Sequence, residues 1–122
     1  MILHVVVVDD DPRVRDALKL IIDFERDLWL AGEATTAEEA ARLCAEARPD
    51  VAIVDVRMPG GGPEAARQIR EVSPTTAVIA LTADNTRSAR ELMHDAGAVA
   101  YLVKGATAGE ILAAVRRAAD GG

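Results

Sequence analysis

Aromatic residues are almost missing from this 122-residue chain: Phe24, Trp29 and Tyr101 are the whole complement. A core must therefore be aliphatic, and with half of the residues apolar there is enough Val, Ile, Leu and Ala to build one. Cysteine occurs once, as Cys44, which rules out an internal disulfide and fits a reducing compartment. Cys44 falls on the apolar stripe of a predicted helix, so packing rather than redox chemistry is its expected role. Long hydrophobic runs are absent too. The longest, near the N-terminus, is broken by His4 and is far too short to span a bilayer. There is no basic start followed by a small-residue cleavage site, so no secretion signal is read and a cytoplasmic location is expected. Positive charge is in deficit: the net charge is −6, which argues against bulk binding of nucleic acid or of an anionic membrane. Lysine is the scarcer base, with Lys19 and Lys104 its only occurrences.

What is present is an alternation of short apolar runs with amphipathic segments. Met1 to Val8 reads as a strand whose Val run does not alternate with polar residues, as expected of a strand buried on both faces in a parallel sheet. Pro12 to Arg26 reads as a helix, with Val14, Ala17, Leu18, Ile21 and Ile22 at helical spacing. A weaker strand over Leu28–Ala34 leads to a helix over Thr36–Arg48, opened by a capping box of Thr36 and Glu39. Val51–Val54 is a short buried strand, followed by the Gly-rich loop "DVRMPGGGP" and a helix over Pro63–Val72. A strand over Ala77–Leu81 and a helix over Thr86–Ala96 follow, the helix burying Ala89, Leu92, Met93 and Ala96 and stopping at Gly97. Val99–Val103 is a fifth strand. A second capping box, Thr107 to Glu110, opens a last helix with the stripe Ile111, Ala114, Val115 and Ala118. This pattern predicts one α/β domain over residues 1–122, a doubly wound parallel sheet between two helical layers. Residues 119–122 read as a stop or as the start of a linker.

In open parallel sheets, ligands bind beyond the carboxyl ends of the strands. Asp9, Asp10 and Asp11 follow the first strand, Asp55 the third, Thr82 the fourth and Lys104 the fifth. Acids converging there repel one another unless a cation sits among them, and all-oxygen ligation favours a hard ion such as Mg²⁺. A carboxylate can serve as nucleophile toward phosphorus, while an ammonium and a hydroxyl hold phosphoryl oxygens. Asp11 directly precedes Pro12 and is read as a helix N-cap, not a metal ligand.

The set "VVVVDDDP", "VAIVDVRMPG", "IALTA" and "AYLVKG", in this order and each at a strand end, resembles the receiver domain of bacterial two-component response regulators. The resemblance covers essentially the whole chain. It implies a flavodoxin-like, three-layer α/β/α fold with strand order 2-1-3-4-5. It implies Asp55 as phosphoacceptor, Asp10 as a direct ligand of Mg²⁺ or of another divalent cation such as Mn²⁺, and Asp9 in the same acidic cluster, acting directly or through water. The backbone carbonyl of Arg57 would complete the protein ligands. Thr82 and Lys104 would hold the phosphoryl oxygens, and Tyr101 would be the switch aromatic that turns inward as Thr82 moves. The implied partners are a sensor histidine kinase, an output domain or downstream protein, and a second copy on phosphorylation. The chain itself would bind neither nucleic acid nor membrane, and would modify itself rather than turn over substrate.

Two features depart from the family's pattern. The loop "PGGGPEA" is shorter than the usual one after the acceptor Asp. Gly105, not proline, follows Lys104, a form that resembles receivers preceding helix-turn-helix outputs. Arg57 and Asp84 are expected to pair across the pocket mouth and slow hydrolysis. Other readings fit less well. A haloacid-dehalogenase-type hydrolase would need a Thr or Val where Arg13 stands, and a flavodoxin's first loop would not present "DDDP" to a flavin phosphate. The acids, hydroxyl and lysine are intact, which argues against a degenerate receiver. His4 and His94 carry no catalytic or metal pattern, and Arg116 and Arg117 read as a solvated face.

Overall fold

The computed structural model describes residues 1–121; Gly122, the last residue of the expected linker start, lies outside the described residues. Five strands alternate with five helices: β1 Leu3–Val8, α1 Pro12–Asp23, β2 Leu28–Ala34, α2 Ala37–Ala47, β3 Val51–Val54, α3 Gly62–Val72, β4 Ala77–Thr82, α4 Arg87–Asp95, β5 Ala100–Val103 and α5 Ala108–Ala119. All strand pairs are parallel, in the order β2-β1-β3-β4-β5. This is the doubly wound parallel sheet that the alternation of strands and helices predicts, in the flavodoxin-like order that the resemblance implies.

The Val run of β1 shows how the two layers form. Val5 and Val7 pack with Leu18, Ile22, Ile111 and Val115 under α1 and α5. Val6 and Val8 point the other way, into the layer of Cys44, Ile69 and Met93 from α2, α3 and α4. All four valines are fully buried, as successive residues of a strand covered on both faces must be. At about 25 cal/mol per Å² of apolar surface removed from water, each such side chain contributes roughly 1.5–3 kcal/mol before entropy is counted.

Several details differ from the sequence reading. Strand β1 begins at Leu3, leaving Met1 and Ile2 exposed. Helix α1 stops at Asp23, where the Phe24 amide turns back to the carbonyls of Leu20 and Ile22 and the chain swings toward β2. Leu92, expected on the buried stripe, is 52% exposed, because α4 is buried along Ala89 and Met93 and the edge of the stripe faces solvent. Ala17 is exposed for the same reason on α1. At α2, Thr36 caps the Glu39 amide as expected, but the Glu39 carboxylate takes the Thr35 amide rather than that of Thr36. The box at Thr107 and Glu110 is complete. Arg116 is not free on a solvated face: it is forked between Glu25 and Asp27 at 2.8 Å from each. Cys44 is buried, and its burial pushes the thiol up to about 12. Among the described residues, no helix is long and apolar enough to cross a membrane.

Candidate functional site

The ladders of the sheet run one step past the strand ends and carry the polar residues with them. The Asp55 amide donates to the Val8 carbonyl, the Asp9 amide to that of Ala34, and the Lys104 amide to that of Thr82. Asp9, Asp55, Thr82 and Lys104 therefore converge at one edge, above a core that covers all but their polar ends. Asp9, Asp55 and Thr82 are buried, and Asp10 is exposed at the rim. Carboxylate oxygens of Asp9, Asp10 and Asp55 lie within 4.8 Å of one another.

Lys104 reaches across this cluster. Its Nζ lies 3.0 Å from Asp9 Oδ2 and 3.3 Å from Asp55 Oδ2. Burial alone would lower the lysine's pKa; the hydrogen bond to Asp9 and the charges of Asp55 and Asp9 outweigh it, so the ammonium is held in its charged form. Asp9 is shifted upward, first by burial and further by the Asp55 charge, against the pull of the Asp11 amide and of Lys104. Three carboxylates thus face one ammonium. Such an all-oxygen, net-negative donor set fits a hard divalent cation, and Asp9, Asp10 and Asp55 are the side chains that would hold it.

Asp55 Oδ1 also accepts from the Arg57 amide at 3.3 Å. The Arg57 guanidinium turns outward and pairs with Asp84 at 2.8 Å, so the expected pair across the mouth is present. Asp84 is a junction. Its carboxylate accepts from the amide and hydroxyl of Thr86, and its amide donates to Thr82 Oγ1 at 3.2 Å. The Thr86 hydrogen bonds, with Arg57 adding to them, hold its carboxyl below the usual carboxylate range. Tyr101 is half-buried against the core, and its hydroxyl donates to the Asp84 carbonyl. Asp11 stands apart from the acid cluster: it caps α1 by accepting from the Arg13 amide, as expected.

Three supporting residues escaped the sequence reading. Arg15 donates from Nη1 to the Asp9 carbonyl at 2.8 Å and from Nε to Glu33 at 2.8 Å, pinning the acidic loop. An arginine in the second turn after an acidic loop was the available signal. Gly62 opens α3 so close to Asp55 that a Cβ there would meet the Asp55 carbonyl oxygen at 2.5 Å and Val56 Cα at 2.6 Å. Arg90 is the third, with its ring contact described below. In the loop after Lys104, Gly105 has φ +110°, a conformation closed to proline, which accounts for its place there.

Known proteins place this geometry in a family. The model of the response regulator receiver domain matches residues 5–116. An uncharacterized transcriptional regulatory protein, YxjL of Bacillus subtilis, is 35% identical over 98% of this chain and 55% of its own length. The response regulator UvrY of Escherichia coli is 33% identical over the same shares. The chain thus spans about half the length of these curated relatives. Among solved structures, the signal receiver domain of a response regulator designated NarL from Mycobacterium tuberculosis superposes with a TM-score of 0.94 at 31% identity, covering 99% of this chain and 98% of that one. The acids, hydroxyl and lysine gathered at the strand ends belong to a fold matched along nearly its full length, and the chain is a member of the response regulator receiver domain family of two-component phosphorelay signalling.

Proposed function

We propose that Asp55 accepts a phosphoryl group from the phosphohistidine of a sensor histidine kinase. The observation that supports this best is the gathering of Asp9, Asp10 and Lys104 around Asp55, with the buried Thr82 at the end of the neighbouring strand β4. An Asp55 carboxylate oxygen attacks phosphorus, forming the O–P bond while the N–P bond breaks; the leaving ring nitrogen keeps the electron pair and takes up a proton. Lys104 offsets the charge of the phosphoryl oxygens, and the Thr82 hydroxyl, within reach of the same pocket, donates to one of them. Asp10, Asp55 and the Arg57 backbone carbonyl are the assigned ligands of Mg²⁺, or of Mn²⁺ in its place, with Asp9 acting directly or through water. Bound there, the cation supplies further neutralisation of the transferring group's charge.

The readout assigned to this chemistry is a change of surface. Thr82 moves toward the phosphoryl group and Tyr101 turns with it, altering the face made by α4, β5 and α5. An output domain, a downstream protein or a second copy would read that face. The module acts in the cytoplasm and modifies itself without turning over substrate. At a net charge of −6 it has no general affinity for nucleic acid, so any DNA binding belongs to a further domain.

Intact-mass measurement after incubation with a small phosphodonor and Mg²⁺ tests the reading. The wild type should gain the mass of one phosphoryl group and Asp55→Asn should not. No gain in the wild type, or an equal gain in the variant, overturns it.

A further inference from the structure

Arg90 lies on the exposed face of α4, outside the acidic cluster, yet its side chain is held at two places. The guanidinium carbon sits 4.7 Å from the centroid of the Tyr101 ring. Its Nε and Nη2 both donate to Asn85 Oδ1, at 3.1 and 2.8 Å. Tyr101 in turn donates its hydroxyl to the Asp84 carbonyl. Two neighbouring residues of the β4–α4 loop, Asp84 and Asn85, are thus gripped by two side chains stacked on each other.

That grip reaches the pocket in one further contact. The Asp84 amide donates to Thr82 Oγ1, and the Asp84 carboxylate holds Arg57 over the mouth. The Tyr101 ring also borders a cavity of about 260 Å³ whose lining includes Arg90 itself, with His94, Ala98, Val99 and Ala100. A half-buried ring on an edge strand with open space beside it can leave its place unless something holds it. Burial and the Asp84 charge push the Tyr101 phenol above its ordinary range, so it remains a donor at neutral pH.

We infer that Arg90 is a positioning residue. Through its stack on Tyr101 and its fork on Asn85 it fixes the β4–α4 loop, and thereby the stance of Thr82 and Arg57 at Asp55. This rests on the phosphoacceptor reading. A planar guanidinium suits the task because it stacks on a ring face and bonds bidentately in its own plane; a lysine would retain only the charge.

Tyr101 is the chain's only tyrosine, so its ring NMR signals can be followed directly in the unphosphorylated protein. In Arg90→Ala the ring resonances should shift, and the rate of phosphoryl gain, read by intact mass, should fall about two- to fivefold, the factor expected for an exposed cation–π contact. Arg90→Lys should fall between. In a Tyr101→Leu background, Arg90→Ala should lower that rate by less, since only the fork on Asn85 is then left to lose. Unmoved ring signals in Arg90→Ala, or an equal fall in the Tyr101→Leu background, overturn the inference. If the wild type gains no phosphoryl group, the phosphoacceptor reading fails and the ring signals alone decide whether Arg90 holds Tyr101.

Discussion

Arg57 and Asp84 meet at 2.8 Å although one side chain is 76% exposed and the other 8%. An ion pair with one partner so largely in water adds little to stability, so its effect lies in what it covers. It stands beside the pocket that holds Asp55, whose Oδ1 accepts from the Arg57 amide, and the pair is expected to screen that carboxylate from an attacking water. In Arg57→Ala, loss of a phosphoryl group from Asp55 should therefore quicken while the melting temperature stays within a degree or so of the wild type. An unchanged decay rate, followed by intact mass, would remove the pair from the mechanism. Cys44 shows the opposite balance of residue and surroundings. It is fully buried in the α2–α3 layer, and its thiol is pushed up to about 12. At mildly alkaline pH almost no thiolate forms in the folded state. Iodoacetamide should label the denatured chain quickly and the native one only as fast as the layer opens. Rapid labelling of the native protein would show that this layer is loose.

At the scale of elements, the placement of α3 depends on a missing side chain. The Asp55 carbonyl and Val56 Cα crowd Gly62, and these are backbone atoms that cannot swing aside. Gly62→Ala should push the start of α3 away from the end of β3, costing roughly 1–3 kcal/mol of stability in urea unfolding. Phosphoryl gain should slow as well, because Asp55 sits on the displaced segment; full stability in the variant would falsify the close approach. The sequence shows why this was not legible in advance. "PGGGP" offers three glycines, and only the fold tells that Gly62 needs the missing Cβ, while Gly61 needs its φ of +84° and a Cβ there would make only ordinary contact with Pro63 Cδ at 3.9 Å. The strands and the capped helix starts at Asp11, Thr36 and Thr107 were legible because local spacing carries them, and so was the gathering of acids, hydroxyl and lysine at the strand ends, because each directly follows an apolar run. Leu92 and the shifted partner of Glu39 were not, since each depends on which neighbour the tertiary structure supplies. Arg15 and Arg90 were hidden for the same reason: each acts through a backbone or ring contact that no periodicity marks.

For the molecule as a whole, the longest-range polar link is Arg116, which binds Asp27 across 89 positions of sequence and Glu25 across 91. It ties the end of α5 to the turn between α1 and β2, closing the layer that covers one face of the sheet. The hydrogen bonds from Arg116 hold the Asp27 carboxyl below its ordinary value of 3.8. The folded state thus prefers Asp27 ionised more than the unfolded chain does. That preference stabilises the fold fully above the unfolded value and is lost as pH falls through the lower folded one. Glu33 behaves alike, through Lys19 first and then Arg15, so those bonds weaken over a similar window. Asp9 shifts the other way, which makes absolute acid stability a sum of opposed effects. A comparison with Arg116→Ala isolates one of them, because Glu33 and Asp9 are common to both proteins. The wild type should have the higher urea midpoint at neutral pH, and its lead should shrink once the pH drops below 3.8. A lead that stays constant with pH would mean that Arg116 holds the two ends together by packing alone, its charge on Asp27 being immaterial to the fold.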